Sequence, residues 1–194
     1  MENVIEVIKS RRSIRKYKSE QINDEDLYTV LECGKRAPSG GNSQTWHFTV
    51  IQNKEILLKL NKYIKLAFEK LEVDENTYKS KKSGKVASQN DNYSFYYNAP
   101  TLIIVSNDMN YSNAMADSAC AIENMLLTAN YLELGACWIN QVTWFDRDEN
   151  VRKLLSSLGI PENYRVCGSI SIGYIDGEKP KEKILKENTV TIIK

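Results

Sequence analysis

The sequence predicts a single domain of mixed α+β class spanning residues 1–194, and three observations point to this class. A chain of 194 residues is long enough to bury one hydrophobic core of its own. Residues 101–105 form a continuous apolar run, which is typical of a strand buried on both faces. Residues 116–129 are small or apolar around nearly the whole helical circumference. A helix of that kind is buried, either in the core or against a second subunit.

The other elements follow from apolar spacing and from residues that favour helix ends and turns. Asn23 or Asp24 is expected to cap a helix that ends near Gly34 and Pro38, and Gly135 is expected to end the long central helix. Residues 72–98 are polar with several tyrosines, which indicates a lid or an insertion. We predict about six helices and four or five strands, with further helices at 3–10, 57–68 and 151–158, and strands at 46–51, 136–142, 166–174 and, as a short addition to a sheet, 190–193.

Composition and charge argue against several classes of protein. The net charge of +1 provides no overall field that would draw the chain to nucleic acid or to an acidic membrane. Its cysteines form no C-x-x-C pair, which disfavours a zinc site and thioredoxin-like chemistry and suits a reduced, cytoplasmic protein. We find no signal peptide and no apolar stretch long enough to span a bilayer, so no membrane partner is expected.

The motifs of several common active sites are missing. The nine glycines form neither of the two standard phosphate-binding fingerprints, G-x-G-x-x-G and G-x-x-x-x-G-K-[ST]. His47 is the one histidine, and it stands beside Trp46, where a structural role is the simpler interpretation. No group of histidines or carboxylates has the spacing of metal ligands.

A basic segment directly follows the first predicted helix and contains Arg11, Arg12, Ser13 and Arg15. Guanidinium groups bind phosphate oxygens in a bidentate manner, and a serine hydroxyl adds a short donor. The segment therefore suits one phosphate dianion. Taken alone, however, a solvated basic turn or a weak nucleic-acid patch is the favoured interpretation.

A polar loop at residues 37–46 is the second candidate. Pro38, Gly40 and a neighbouring glycine favour a turn where the backbone comes close to a flat ligand. The amides of Asn42 and Gln44 offer both donors and acceptors, as the uracil-like edge of a flavin requires. By itself, the loop also fits an ordinary polar connection between a helix and a strand.

Together and in this order, these segments resemble the nitroreductase family. The family's R-x-S-x-R/K motif corresponds to residues 11–15, and its A-P-S-x-x-N-x-Q-x-W motif to residues 37–46. The L-G-x-x-W-I run at residues 134–139 and Asn98-Ala99-Pro100 before the apolar strand are further matches. The resemblance extends from about residue 4 to residue 183.

This resemblance implies a central, mostly antiparallel sheet flanked by helices, in an interlocked homodimer that binds FMN between its subunits. NADH or NADPH would give hydride to flavin N5 and leave before a small acceptor, a nitroaromatic, a quinone or similar, takes it in a ping-pong scheme. The flavin performs the chemistry, so no catalytic side chain is expected.

The resemblance also assigns roles to residues of this chain. Arg11, Arg12 and Ser13 would hold the phosphate, and Arg15 would approach the N1/O2 side of the flavin. The backbone of Ile139, Asn140 and Gln141 would face N5. The second subunit would provide Pro38, Ser39, Gly40, Asn42 and Gln44. Lys181 and Lys183 stand where relatives complete the phosphate site with an arginine.

Three alternatives remain open at this stage. Some proteins with this fold remove halogen or destroy flavin, and a flavin-binding sensor would not turn over nicotinamide at all. A nucleic-acid binder would use the basic run at residues 9–18, which the acidic stretch at residues 20–32 disfavours. Two side-chain roles are also open: residues 93–97 form an acceptor-side wall or pack a loop onto the domain, and Trp138 lies beside the flavin or fills the core.

Overall fold

A four-stranded sheet lies at the centre of the computed structural model, which describes residues 3–182, 184–187 and 189–194. Its spatial order is β1-β2-β4-β3, and every neighbouring pair is antiparallel. Strands β2 and β4 carry a bulge between Val105 and Ser106. The strands are β1 (His47–Ile51), β2 (Thr101–Asp108), β3 (Leu134–Ile139) and β4 (Tyr164–Tyr174).

Seven α-helices are found within the described residues, and they cover both faces of the sheet. They are α1 (Val4–Ser10), α2 (Asp24–Lys35), α3 (Lys54–Lys70), α4 (Lys79–Ser88), α5 (Ala114–Tyr131), α6 (Gln141–Trp144) and α7 (Glu149–Ser157). The α+β class is therefore confirmed. Two helices were not predicted: α4, within the polar segment 72–98, and the single turn α6.

Strand β2 separates two hydrophobic cores. Leu102 and Ile104 pack into a core formed with α3 and α7, whereas Ile103 and Val105 face a core formed with α2 and α5. All four side chains are fully buried. The apolar run was thus correctly identified as a strand buried on both faces, since successive strand residues point to opposite sides.

Short polar side chains fix where several helices begin. Asn23 accepts a hydrogen bond from the backbone N–H of Asp26 at 2.8 Å, as predicted for the start of α2. Asn53 and Asp148 cap α3 and α7 in the same way. Such side chains satisfy N–H groups that have no partner within the helix.

The predicted end of the central helix was wrong. Helix α5 ends at Tyr131, and Glu133 rather than Gly135 takes the left-handed conformation, with φ of 58°. Gly135 already belongs to β3, where Ile14 packs against it so closely that a Cβ would lie 2.7 Å from Ile14 Cγ2. The glycine therefore serves a close contact between segments instead of a helix end.

Two strand predictions also need correction. Strand β3 ends at Ile139 instead of continuing to residue 142, because the chain turns into α6 at Gln141. Residues 190–193 form no strand in the described chain, and Val190, Ile192 and Ile193 are 74–93% exposed. Their apolar side chains meet no neighbouring strand within one copy of the protein.

The segment after α1 joins the outer edge of the sheet and positions the basic residues. Ser13 forms a parallel bridge with Ala136, and the Ile14 N–H donates to the Ala136 carbonyl at 3.0 Å. Four residues further on, Tyr17 bridges to Ile175. Arg15 is therefore held between two backbone anchors, beside the end of β3.

Candidate active site

The predicted site residues lie in two regions of the single chain. Arg15 and Gln141 line one cleft of about 830 Å³. Asn42 and Gln44 line a different hollow of about 740 Å³ on the surface of α2. The two cavities have no lining residue in common.

The cleft has aromatic and polar walls. Tyr93, Tyr97 and Trp144 contribute to its lining, and α4 borders it through residues from Lys79 to Ala87. The guanidinium carbon of Arg15 lies 5.7 Å from the centre of the Tyr97 ring. A cation at that distance is attracted by the face of the ring, which orients Arg15 along the cleft.

The basic segment distributes its guanidinium groups unevenly. Arg11 Nε lies 3.7 Å from Glu123 Oε1 on α5. Arg12 donates to the backbone carbonyls of Lys9 and Arg11 through Nη1, and its Nε donates to the Lys181 carbonyl at 3.2 Å. Several N–H donors of Arg12 are thus bonded to backbone oxygens, whereas Arg11 has one carboxylate neighbour, Glu123.

Ser13 and Arg15 both lie close to Cys137 on β3. Burial raises the pKa of the Cys137 thiol, whereas Arg15 and the Ser13 hydroxyl act in the opposite direction. The thiol is therefore protonated at neutral pH and is not an activated nucleophile.

The end of β3 leads through Ile139 and Asn140 to Gln141, which lines the cleft. The Ile139 carbonyl accepts a hydrogen bond from Ser169 Oγ at 3.0 Å. Asn140 Oδ1 accepts one from the Trp138 indole at 2.8 Å. Trp138 itself packs against the core shared with α2 and α5. These contacts orient the turn that leads into Gln141, the first residue of α6.

The loop formed by residues 38–44, called the amide loop below, has a strained backbone. Gly41, Asn42 and Gln44 have backbone φ values of 59°, 55° and 48°. Residues other than glycine rarely adopt this left-handed region. Gln44 Nε2 donates to Asn42 Oδ1 at 2.8 Å, and the Gln44 N–H donates to Ser39 Oγ at 3.2 Å. The amide side chains are thereby arranged as one unit.

Comparison with known proteins identifies the family. The model of the nitroreductase family matches residues 8–174. The chain belongs to this family. A nitroreductase from Bacteroides fragilis, solved with bound FMN, is 44% identical, with full coverage of both chains and a TM-score of 0.89.

Two further relatives agree with this assignment. A protein of Archaeoglobus fulgidus named as an NADH dehydrogenase/NAD(P)H nitroreductase is 34% identical over 184 residues, which is 92% of this chain and 89% of that protein. A nitroreductase of Desulfitobacterium hafniense, solved with bound FMN, is 25% identical with full coverage and a TM-score of 0.83. The nitroreductase fold predicted from the four motifs is therefore confirmed.

Three residues of this nitroreductase contact the predicted site but carried no sequence motif. Asp117 and Tyr111 both bond to Gly40 of the amide loop. Glu123 pairs with Arg11. Asp117 lies on the buried face of α5, where a carboxylate is rare enough to be a signal.

Of the two late lysines, the structure describes one. Lys181 offers its backbone carbonyl to Arg12. Lys183 lies outside the described residues.

Among the described helices, none is long and apolar enough to cross a membrane.

Proposed function

We propose that this protein is an FMN-dependent oxidoreductase that takes hydride from NADH or NADPH and delivers it to a small oxidised acceptor. The observation that carries the proposal is the shared cleft of Arg15 and Gln141, two residues expected at opposite edges of the flavin ring system. Family membership and the FMN bound in two solved relatives support it.

The residues of the cleft fit a flavin. Arg15 provides a fixed cation where a reduced flavin carries negative charge, which favours hydride acceptance. Tyr97 and Trp144 provide flat apolar surface beside it. Arg11 and Ser13 are suited to bind the phosphate of FMN. The backbone of residues 139–141 would face N5 of the flavin. FMN, when bound, supplies the hydride-accepting and hydride-donating centre.

We further propose that a second copy of the chain completes the site. Asn42 and Gln44 lie in a hollow separate from the Arg15 cleft, so one copy does not place all predicted contacts around a single ligand. A homodimer that sets the amide loop of one copy against the cleft of its partner resolves this. Pro38, Ser39 and Gly40 belong to the same loop and would approach the flavin with it.

The function is tested by anaerobic visible spectroscopy of the purified protein. A flavin band that bleaches with NADH or NADPH, and returns when a nitroaromatic or a quinone is added, is the expected result. Free FMN with the same reagents is the control. Initial rates at several concentrations of both substrates should then give the parallel double-reciprocal lines of a ping-pong scheme.

Other outcomes separate the alternatives. A flavin band that does not bleach would indicate a flavin-binding sensor. Release of halide from a halogenated aromatic, or loss of the flavin itself, would indicate another chemistry of the fold. A colourless protein that takes up no added FMN would contradict the proposal.

A further inference from the structure

The buried carboxylate of Asp117 is hydrogen-bonded to the amide loop. Asp117 lies in the first turn of α5 and is 6% exposed. Its Oδ2 accepts hydrogen bonds from the Gly40 N–H at 3.1 Å and from the Tyr111 hydroxyl at 2.8 Å. No lysine or arginine of the described residues lies within 4.0 Å of it to form an ion pair.

A buried carboxylate without a cation is costly to maintain. Its burial is offset only by hydrogen bonds, which are stronger when the acceptor is charged. The Tyr111 hydroxyl also lies 3.0 Å from the Gly40 carbonyl, so its one proton is shared between this carbonyl and the Asp117 carboxylate. Asp117 therefore bonds to the N–H of Gly40, and Tyr111 bonds to the carbonyl of the same residue.

Among the described residues, the hydrogen bonds of Gly40 to Asp117 and Tyr111 are the only ones that join the amide loop to the rest of the fold. The other hydrogen bonds of residues 38–44 are internal, joining Ser39, Gly40, Asn42, Ser43 and Gln44 to one another. Internal bonds define the shape of the loop but not its place on the fold. Its place is set at Gly40.

The absence of a side chain at Gly40 leaves room for this contact. A Cβ on Gly40 would lie 2.2 Å from Asn113 Nδ2 and 2.7 Å from the Tyr111 hydroxyl oxygen. A larger residue at this position would therefore have to displace the ends of both side chains. The left-handed conformations of Asn42 and Gln44 lie within four residues of this point, and such conformations persist when their surroundings hold them.

We propose that Asp117, assisted by Tyr111, is a positioning residue that holds the amide loop in its place on the fold, where it can contribute to the flavin site, and thereby sets the affinity for FMN. The inference rests on the proposed function, since it takes the amide loop as part of the flavin site. Asp117 does not touch the flavin in this scheme and acts through Gly40.

The test compares Asp117→Ala, Asp117→Asn and Tyr111→Phe with the wild-type protein. FMN affinity is measured by titrating the apo-protein and following flavin fluorescence. We expect Asp117→Ala to weaken binding about 10- to 100-fold, as the loss of a charged hydrogen-bond partner implies. Asp117→Asn keeps one acceptor oxygen and should recover part of the loss, and Tyr111→Phe should have a smaller effect.

Asp146 provides a matched control. It is 8% exposed and accepts a hydrogen bond from the Val166 N–H at 2.9 Å, away from the amide loop. Asp146→Asn should lower the urea midpoint of unfolding yet leave the FMN affinity of the folded protein within about twofold. Equal losses of affinity in the Asp117 and Asp146 variants would show a general effect on folding and overturn the proposal.

Hydrogen exchange of the apo-protein supplies a readout that needs no flavin. The backbone amides of residues 39–44 should exchange faster in Asp117→Ala than in wild type, with those of α7 unchanged. Unchanged exchange, or faster exchange with unaltered FMN affinity, would overturn the positioning role. A wild-type protein that binds no FMN would instead refute the proposed function, and with it the effect on affinity, while exchange would still report whether Asp117 tethers the loop.

Discussion

At the scale of single residues, Glu123 would compete with the FMN phosphate for Arg11, the proposed phosphate ligand. Its carboxylate lies 3.7 Å from Arg11 Nε and is half exposed. A carboxylate beside an anion site repels the phosphate and occupies the guanidinium that would bind it. We therefore expect Glu123 to lower the FMN affinity instead of raising it.

Glu123→Gln should accordingly bind FMN more tightly than wild type. We expect a gain of about two- to fivefold at low ionic strength, since exposed pairs contribute up to about 1 kcal/mol. The gain should shrink as salt screens the charges. Fluorescence titration at two salt concentrations measures both effects, with Glu149→Gln, whose carboxylate pairs with Lys153 on α7, as the control. Weaker binding by Glu123→Gln would contradict this account.

Tyr93 gives a pH-dependent prediction. Its hydroxyl is buried without a hydrogen-bond partner among the described residues. Burial raises the pKa of Tyr93 to about 12, although the nearby Gln141 side chain acts in the opposite direction. Because the folded state disfavours the phenolate, its stabilising contribution is complete below the unfolded pKa of about 10 and is lost as pH rises toward 12.

The free energy of unfolding should thus fall more steeply above pH 10 in wild type than in Tyr93→Phe. Urea denaturation at intervals between neutral pH and the upper limit of this range measures the difference. Tyr28→Phe, at an exposed tyrosine of α2, is the matched control. Identical pH profiles for wild type and Tyr93→Phe would refute the prediction.

At the scale of elements, Gly168 lets α5 pack directly on the sheet. A Cβ at this position of β4 would lie 2.6 Å from Ile122 Cδ1 and 3.1 Å from the Trp138 ring. Both neighbours belong to the core between α5 and the sheet. The close approach of helix and sheet therefore depends on the missing side chain.

Gly168→Ala should destabilise the protein by about 1–3 kcal/mol, the usual cost of overpacking a core. Shortening the neighbour removes the contacted atom, so Ile122→Val should be less harmful in the Gly168→Ala background than alone. A double-mutant cycle of urea unfolding free energies measures this coupling. Additive effects would show that Ile122 does not oppose the new methyl group.

At the scale of the whole molecule, apolar surface is left uncovered by the single chain. Val4, Ile5 and Ile8 of α1 are 52–65% exposed, beside a hollow that Leu127 and Tyr131 help to line. Ile184 and Leu185 of the tail are also exposed. Contiguous apolar surface of this kind marks an interface, as the proposed homodimer requires.

Light scattering should therefore give twice the mass of one chain for the wild-type protein. The double variant Ile5→Asp/Ile8→Asp should dissociate and lose FMN together, because each site needs both copies. Leu58→Asp on α3, at a leucine that is 52% exposed, tests for a nonspecific effect of a surface carboxylate and should remain a dimer. A wild-type monomer that binds FMN would exclude the shared site.

Much of the fold followed from local patterns in the sequence. The alternation of cores along β2 and the buried face of α5 arise from the fixed periodicity of strands and helices. The Asn23 cap arises from a short side chain that accepts an unpaired N–H at the helix start. The motifs at residues 11–15 and 37–46 also identified the candidate site residues. Roles assigned to them around the flavin remain predictions.

Contacts between distant segments were beyond such patterns. Gly135 resembled a helix end because glycine favours that position, but it is needed where Ile14 crosses β3. The tail at residues 190–193 has a strand-like composition and still pairs with no strand among the residues that the structure describes. In both cases, another part of the structure decides the outcome.

The sequence by itself determined the α+β class, the order of most elements and the family, because these depend on residues close together along the chain. Only the tertiary structure placed Asp117 against Gly40, 77 residues away, and Glu123 against Arg11. It also separated the amide loop from the Arg15 cleft. Such contacts depend on how helices and strands pack, and no local spacing of residues encodes that packing.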